Sequence, residues 1–93
     1  MASTVEELTV EYVENGVTTV KQLGKEVLSK GAWATVIFKY QDWVPSQNEY
    51  SEVKFTIRRY RKVDGIYKQQ SKFNISSVDQ AKKIIEVLTG WLV

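Results

Sequence analysis

Two β-rich segments joined by Asp64-Gly65 and followed by an amphipathic helix constrain the fold of this chain more than any other feature. β-branched and aromatic residues are frequent in segments 53–62 and 66–75, which predicts the two strands of a hairpin. Ser77 then begins a segment whose apolar residues recur at helical spacing, with Gln80 in the position that completes a capping box. We therefore predict antiparallel strands followed by a helix.

Asn15-Gly16 is the strongest signal for a two-residue hairpin turn in the chain, and it predicts strands on both sides. Segment 17–28 after it is ambiguous, because its valines could also line one face of a helix. Thr18, Thr19 and Gly24 disfavour that helix, so we prefer a strand.

Three further segments complete the outline. Alternating side chains over 33–43 predict a strand, the only proline places a loop at 44–52, and the polar segment 1–6 predicts a loose end. We expect a single α+β domain: a dimeric, curved antiparallel sheet of four to five strands followed by one C-terminal helix. The sheet is expected within 8–75 and the helix at 77–92.

Composition argues against most catalytic chemistry. The chain has no His and no Cys, its glycines are scattered, and its acidic residues form no evident pair for proton transfer. We expect no enzymatic activity, no catalytic residues, no metal site, no cofactor and no small-molecule substrate. No apolar run approaches the ~20 residues of a membrane span, and the first residues do not form a signal peptide. We expect an intracellular protein, cytoplasmic or nucleoid-associated, without a membrane partner.

Positive charge is concentrated in the hairpin. The formal net charge is only +2, but seven Lys and Arg residues fall within segment 54–72. Alternation places Phe55 and Ile57 on one face of the first strand, and Arg58 and Tyr60 on the other. A two-residue turn would bring lysines of the second strand onto the apolar face, which is costly.

A three-residue loop, Val63-Asp64-Gly65, shifts the register by one residue and avoids that cost. We therefore predict that loop, with an apolar face that includes Tyr67, Ser71 and Phe73, and a basic face opposite. Aromatic rings among cations are typical of proteins that bind single-stranded nucleic acid, although such a face can also be simply solvated. The predicted contact residues are Arg58, Lys72, Lys54, Tyr60, Lys62, Lys68, Gln70, Trp33 and Lys39.

The C-terminal helix has a broad apolar face that must be buried. One helix cannot cover a sheet of this width, so we expect a homodimer. The predicted interface residues are Ala81, Ile84, Leu88 and Trp91.

The order Ile57-Arg58-Arg59-Tyr60, a turn at Gly65, Lys68, Lys72 and a Ser-started helix resembles the positive cofactor four family. These transcriptional coactivator-type proteins bind single-stranded DNA, fold as four antiparallel strands and one helix, and dimerise. The resemblance covers 53–92 and extends loosely to 33–43. It implies DNA contacts at Arg58 and Lys72, whereas Arg61 stands where the family tends to have an aromatic residue.

The leading hypothesis is binding of single-stranded DNA with little sequence specificity, in transcription regulation, replication or repair. Two alternatives remain open. One is a protein-interaction or assembly module whose basic face meets an acidic partner, and the other is RNA binding by the same surface.

Overall fold

One antiparallel sheet followed by one helix forms the protein, and the computed structural model describes residues 2–93. Strands β1–β6 and helix α1 span Tyr12–Glu14, Val17–Ser29, Trp33–Val44, Glu49–Tyr50, Lys54–Val63, Ile66–Ile75 and Val78–Leu92. The strand order is β1-β2-β3-β5-β6, with β4 paired to the end of β3. The α+β class and the antiparallel sheet with a C-terminal helix are confirmed. Within the described residues the main path of the sheet has five strands, the upper end of the expected range, and the short β4 adds a sixth.

Asn15-Gly16 forms the predicted two-residue turn between β1 and β2. Asn15 has φ of 51° and Gly16 has φ of 79°, the left-handed backbone that such a turn requires. β2 continues as a strand, so the preferred reading of segment 17–28 is confirmed. Part of the expected loop at 44–52 has regular secondary structure, since it contains a 3-10 turn and the two residues of β4.

The register prediction for the β5–β6 hairpin is wrong at the turn. Val63 pairs directly with Ile66, so the connection is the two-residue turn Asp64-Gly65, and both residues have left-handed backbone. A bulge at Gln70 then shifts the pairing by one residue, and beyond it Ile57 faces Phe73. The predicted pairing of faces therefore holds at the base of the hairpin but not near its tip.

The hydrophobic core lies on one side of the sheet, beneath the segment 2–10. Val5, Leu8 and Val10 pack there on side chains of β3 and β5. The carbonyl of Ala2 accepts a hydrogen bond from the Tyr67 N–H at 2.8 Å, which anchors the start of the segment. The expectation of a loose end at 1–6 is therefore wrong for residues 2–6, while Met1 lies outside the described residues.

Leu8→Ala should cost about 2–5 kcal/mol of unfolding free energy, because the leucine is almost fully buried and its removal leaves a cavity. Urea denaturation followed by circular dichroism measures the change. Leu28→Ala is the matched control, since it removes the same atoms from an exposed position and should change stability by at most about 0.5 kcal/mol. A loss of stability for Leu8→Ala as small as that expected for Leu28→Ala would show that segment 2–10 is not part of the core.

Helix α1 begins as predicted, with the Ser77 hydroxyl accepting the Gln80 N–H at 3.1 Å. The Gln80 side chain completes the cap one residue earlier than in a standard capping box, because it accepts the N–H of Ser76. The helix packs mainly along β6 and buries none of its own residues fully. Its apolar face is thus largely exposed in the single chain.

Candidate nucleic-acid interface

The two sides of the sheet differ in what lies over them. We call the side that packs under segment 2–10 the covered face, and it carries Val36, Phe38 and Tyr60. The opposite side is the open face. It carries Trp33, Ile57 and the side chains that alternation along the strands places on the same side as these two. The predicted contact residues do not share one surface. Lys54, Arg58, Tyr60, Lys62 and Lys72 lie on the covered face, whereas Trp33, Lys39 and Lys68 lie on the open face.

Tyr60 is the first correction to the predicted site. The residue is only 5% exposed and belongs to the core, so its ring is not an accessible stacking platform. Burial raises the pKa of its hydroxyl, and the neighbouring Arg58 guanidinium opposes that rise. The sequence pattern assigned Tyr60 to an exposed basic face because segment 2–10 was not expected to pack there.

Arg58 is half-buried beside Tyr60 and is oriented by a neutral partner. Its Nη1 donates to the Gln69 Oε1 at 2.9 Å, while its Nε is buried with no hydrogen-bond partner among residues 2–93. Lys72 lies directly opposite on β6 and is exposed. The two cations that the family resemblance implies are therefore neighbours, although only Lys72 is fully open to a ligand.

The other covered-face lysines have partners within the chain. Lys54 forms an ion pair with Asp42 at 2.9 Å, and that hydrogen bond raises the pKa of the Lys54 amine. The Lys62 amine lies 5.3 Å from the centre of the Tyr67 ring. Tyr67 itself lies on this face, opposite Lys62, and not with Phe55 as the predicted register required.

A cluster of cations around an exposed indole occupies the open face near the hairpin tip. The guanidinium carbon of Arg59 lies 4.7 Å from the centre of the Trp33 ring, and that of Arg61 lies 5.7 Å from it. Both arginines are exposed, and neither forms an ion pair with another described residue. Trp33 is 42% exposed, so part of its surface is free. We call Trp33, Arg59, Arg61 and Lys68 the Trp33 cluster.

Lys68 joins this cluster because of the short turn. It lies opposite Arg61 on the open face, whereas the three-residue loop would have placed it with Tyr60. Gln70 occupies the bulge and has no paired residue on β5, and its side chain donates to the Lys68 carbonyl at 3.2 Å. Lys39 is exposed on the same face, farther along β3.

Arg59 and Arg61 were absent from the predicted contact residues. Their parity on β5 assigned them to the apolar face with Phe55 and Ile57, and that assignment is correct. The signal that was missed is the place of Trp33 in the alternation along β3. Its side chain lies on the same face as that of Arg61, the residue directly opposite on β5. An exposed tryptophan beside two arginines was therefore readable from the sequence once the register between β3 and β5 was known.

An apolar strip continues the open face away from the Trp33 cluster. Ile37, Phe55 and Ile57 are half-buried there, and Phe73 on β6 is 54% exposed. On α1, Trp91 is 79% exposed and Leu88 is 48% exposed. Exposed apolar surface on this scale is unusual for a monomer, and it indicates an interaction surface.

Residues 2–93 contain neither a helix with the length and hydropathy of a membrane span nor a group of three or more acidic, His or Cys side chains placed to hold a metal ion. No protein-family model, no curated protein and no solved structure matches this chain.

Proposed function

We propose that this protein binds single-stranded DNA with little sequence specificity, and that the Trp33 cluster is its central contact. The observation that carries this proposal is the exposed indole with two arginines at 4.7 and 5.7 Å, none of them paired with a carboxylate within the described chain. Guanidinium groups bind phosphates, and an exposed indole stacks on any base, which contributes about 1–3 kcal/mol per base.

Unpaired strands fit this surface better than a duplex does. The Trp33 ring lies on a sheet face, and a base must leave its stack to reach it. Helix α1 carries two lysines but also Asp79 and Glu86, so it lacks the net basic surface of a helix that reads the major groove. The resemblance to single-stranded DNA-binding coactivators in segment 53–92 supports the same proposal.

A homodimer is the second part of this proposal. Ala81 and Ile84 are half-buried within the chain itself, so they contribute less to a subunit interface than expected. Ile85, Leu88 and Trp91 remain largely exposed on α1. Pairing these helices in two subunits would remove that apolar surface from water, and it would place two Trp33 clusters in one particle.

Titration with fluorescent oligonucleotides tests the function. Single-stranded DNA should bind more tightly than a duplex of the same length at equal salt, and affinity should fall steeply with salt. A Trp43→Phe, Trp91→Phe variant leaves Trp33 as the only tryptophan, and its fluorescence should be quenched when a strand binds. Equal affinity for duplex, or no quenching, would refute the stacked single-strand mode.

The same titration distinguishes the alternatives. Single-stranded RNA of the same base sequence is the second ligand, and tighter binding of RNA would reassign the preference. If the protein binds no nucleic acid at low salt, the protein-interaction module is the remaining hypothesis. Its acidic partner would be expected to bind the same basic surface.

A further inference from the structure

A second site with positive charge lies at the same end of the sheet as the Trp33 cluster, but on the covered face. A cleft of about 430 Å³ opens there, on the covered side, between segment 2–10 and the turn that joins β2 to β3. The residues that line it include Glu6, Lys30, Ala32, Lys62 and Tyr67. The two lysines are exposed, and neither forms an ion pair among residues 2–93.

Hydrogen bonds fix the floor of this cleft. The Lys62 N–H donates to the Ala32 carbonyl at 2.7 Å, and the Tyr67 hydroxyl donates to the Gly31 carbonyl at 2.7 Å. The backbone of Lys62 is therefore fixed near the end of β5, and its amine lies over the Tyr67 ring. These two bonds join the β2–β3 turn to β5 and β6, so this wall of the cleft is fixed to the sheet.

The cleft and the Trp33 cluster are consecutive along the chain. Ala32 lines the cleft and Trp33 lies on the open face, while on β5 Lys62 points to the cleft and Arg61 to the cluster. The two sites therefore lie at the same end of the sheet, on opposite sides of it. A strand that stacks on Trp33 and continues past this end of the sheet would meet the two lysines next.

We propose that the Lys30–Lys62 cleft holds backbone phosphates of the nucleic acid beyond the nucleotides that contact the Trp33 cluster. This inference rests on the proposed function, and it adds that the bound strand passes from the open face around the β2–β3 turn. Lysine amines bind phosphates as point charges, which suits sequence-independent contact with a backbone. Among the described residues that line the cleft, Glu6 is the one carboxylate.

The test is a Lys30→Gln, Lys62→Gln variant measured with oligothymidylates of about four and about twelve nucleotides, lengths within the usual range of single-strand sites. The long strand should bind about tenfold more weakly than to the unmutated protein, and its salt slope should fall by about 1.4, or 0.7 for each lost phosphate contact. The short strand should bind with unchanged affinity, because the Trp33 cluster is intact.

Two comparisons make the result decisive. A Lys82→Gln, Lys83→Gln variant removes the same charge from exposed positions of α1 and should leave both affinities unchanged. Glu6→Gln should strengthen binding of the long strand only. Equal losses for the short and long strands, or no loss for either, would overturn the cleft while leaving the proposed function in place. If the unmutated protein binds neither strand, the proposed function itself fails.

Discussion

Replacing Arg59 and Arg61 together with alanine is expected to weaken binding of a single strand by about ten- to a hundredfold, because each lost hydrogen-bonded contact with a phosphate costs about 0.5–1.5 kcal/mol. Both guanidinium groups lie over the Trp33 ring, so the variant removes the two charges that are proposed to contact phosphates and leaves the indole in place. The salt slope should fall by about 1.4. Fluorescence anisotropy over a series of salt concentrations measures both changes.

The matched control is Arg58→Ala with Lys72→Ala, which removes the same number of charges from the covered face. Its effect on binding should be smaller, since Arg58 is half-buried and bonded to Gln69. The family resemblance makes the opposite prediction, because it assigns the DNA contacts to this pair. A larger loss for the covered-face pair would place the strand there and remove the open face from the site.

Introducing a charge on α1 with Leu88→Glu should convert a dimer to monomers, because the carboxylate would be buried among apolar side chains of the second subunit. Affinity for long strands should fall more than affinity for short strands, since a monomer loses the effective concentration that a second cluster provides. Sedimentation at about micromolar to tens of micromolar protein measures the first effect, and titration measures the second.

Glu86→Gln is the control for this variant, as it changes an exposed residue of α1 that pairs only with Lys83. It should leave the association state unchanged. Leu88 is 48% exposed, so Leu88→Glu should leave the fold of the single chain intact, as circular dichroism would show. A sedimentation result showing the unmutated protein as a monomer that still binds DNA would rule out the dimer mechanism.

The regular elements were predictable from the sequence because local signals agree with tertiary structure there. Asn15-Gly16 fixes its turn through left-handed backbone, and Ser77 caps α1 as its spacing predicts. The β5–β6 register was not predictable in full. Segment 68–72 is polar throughout, so its own pattern gives no sign that Gln70 is skipped by the pairing.

The packing of segment 2–10 on the covered face was not predicted, for a different reason. Leu8 and Val10 have the two-residue spacing of a strand, but Val5 lies three residues before Leu8, so no single period identifies all three as core residues. Their burial depends on a side of the sheet that only the assembled strands create. The sequence singled out the charged residues as a group, but which of them share a surface depended on register and on this covering segment.

The hydrogen bond between Ala2 and Tyr67 has a consequence for how the chain folds. It joins residues from opposite ends of the sheet-forming sequence, and the core beneath segment 2–10 cannot be completed until β5 and β6 are available. Such non-local contacts give a high contact order, and proteins dominated by them fold in about milliseconds to seconds rather than microseconds. During synthesis on the ribosome, segment 2–10 is made before β5 and β6, so its apolar side chains would stay exposed until those strands are available.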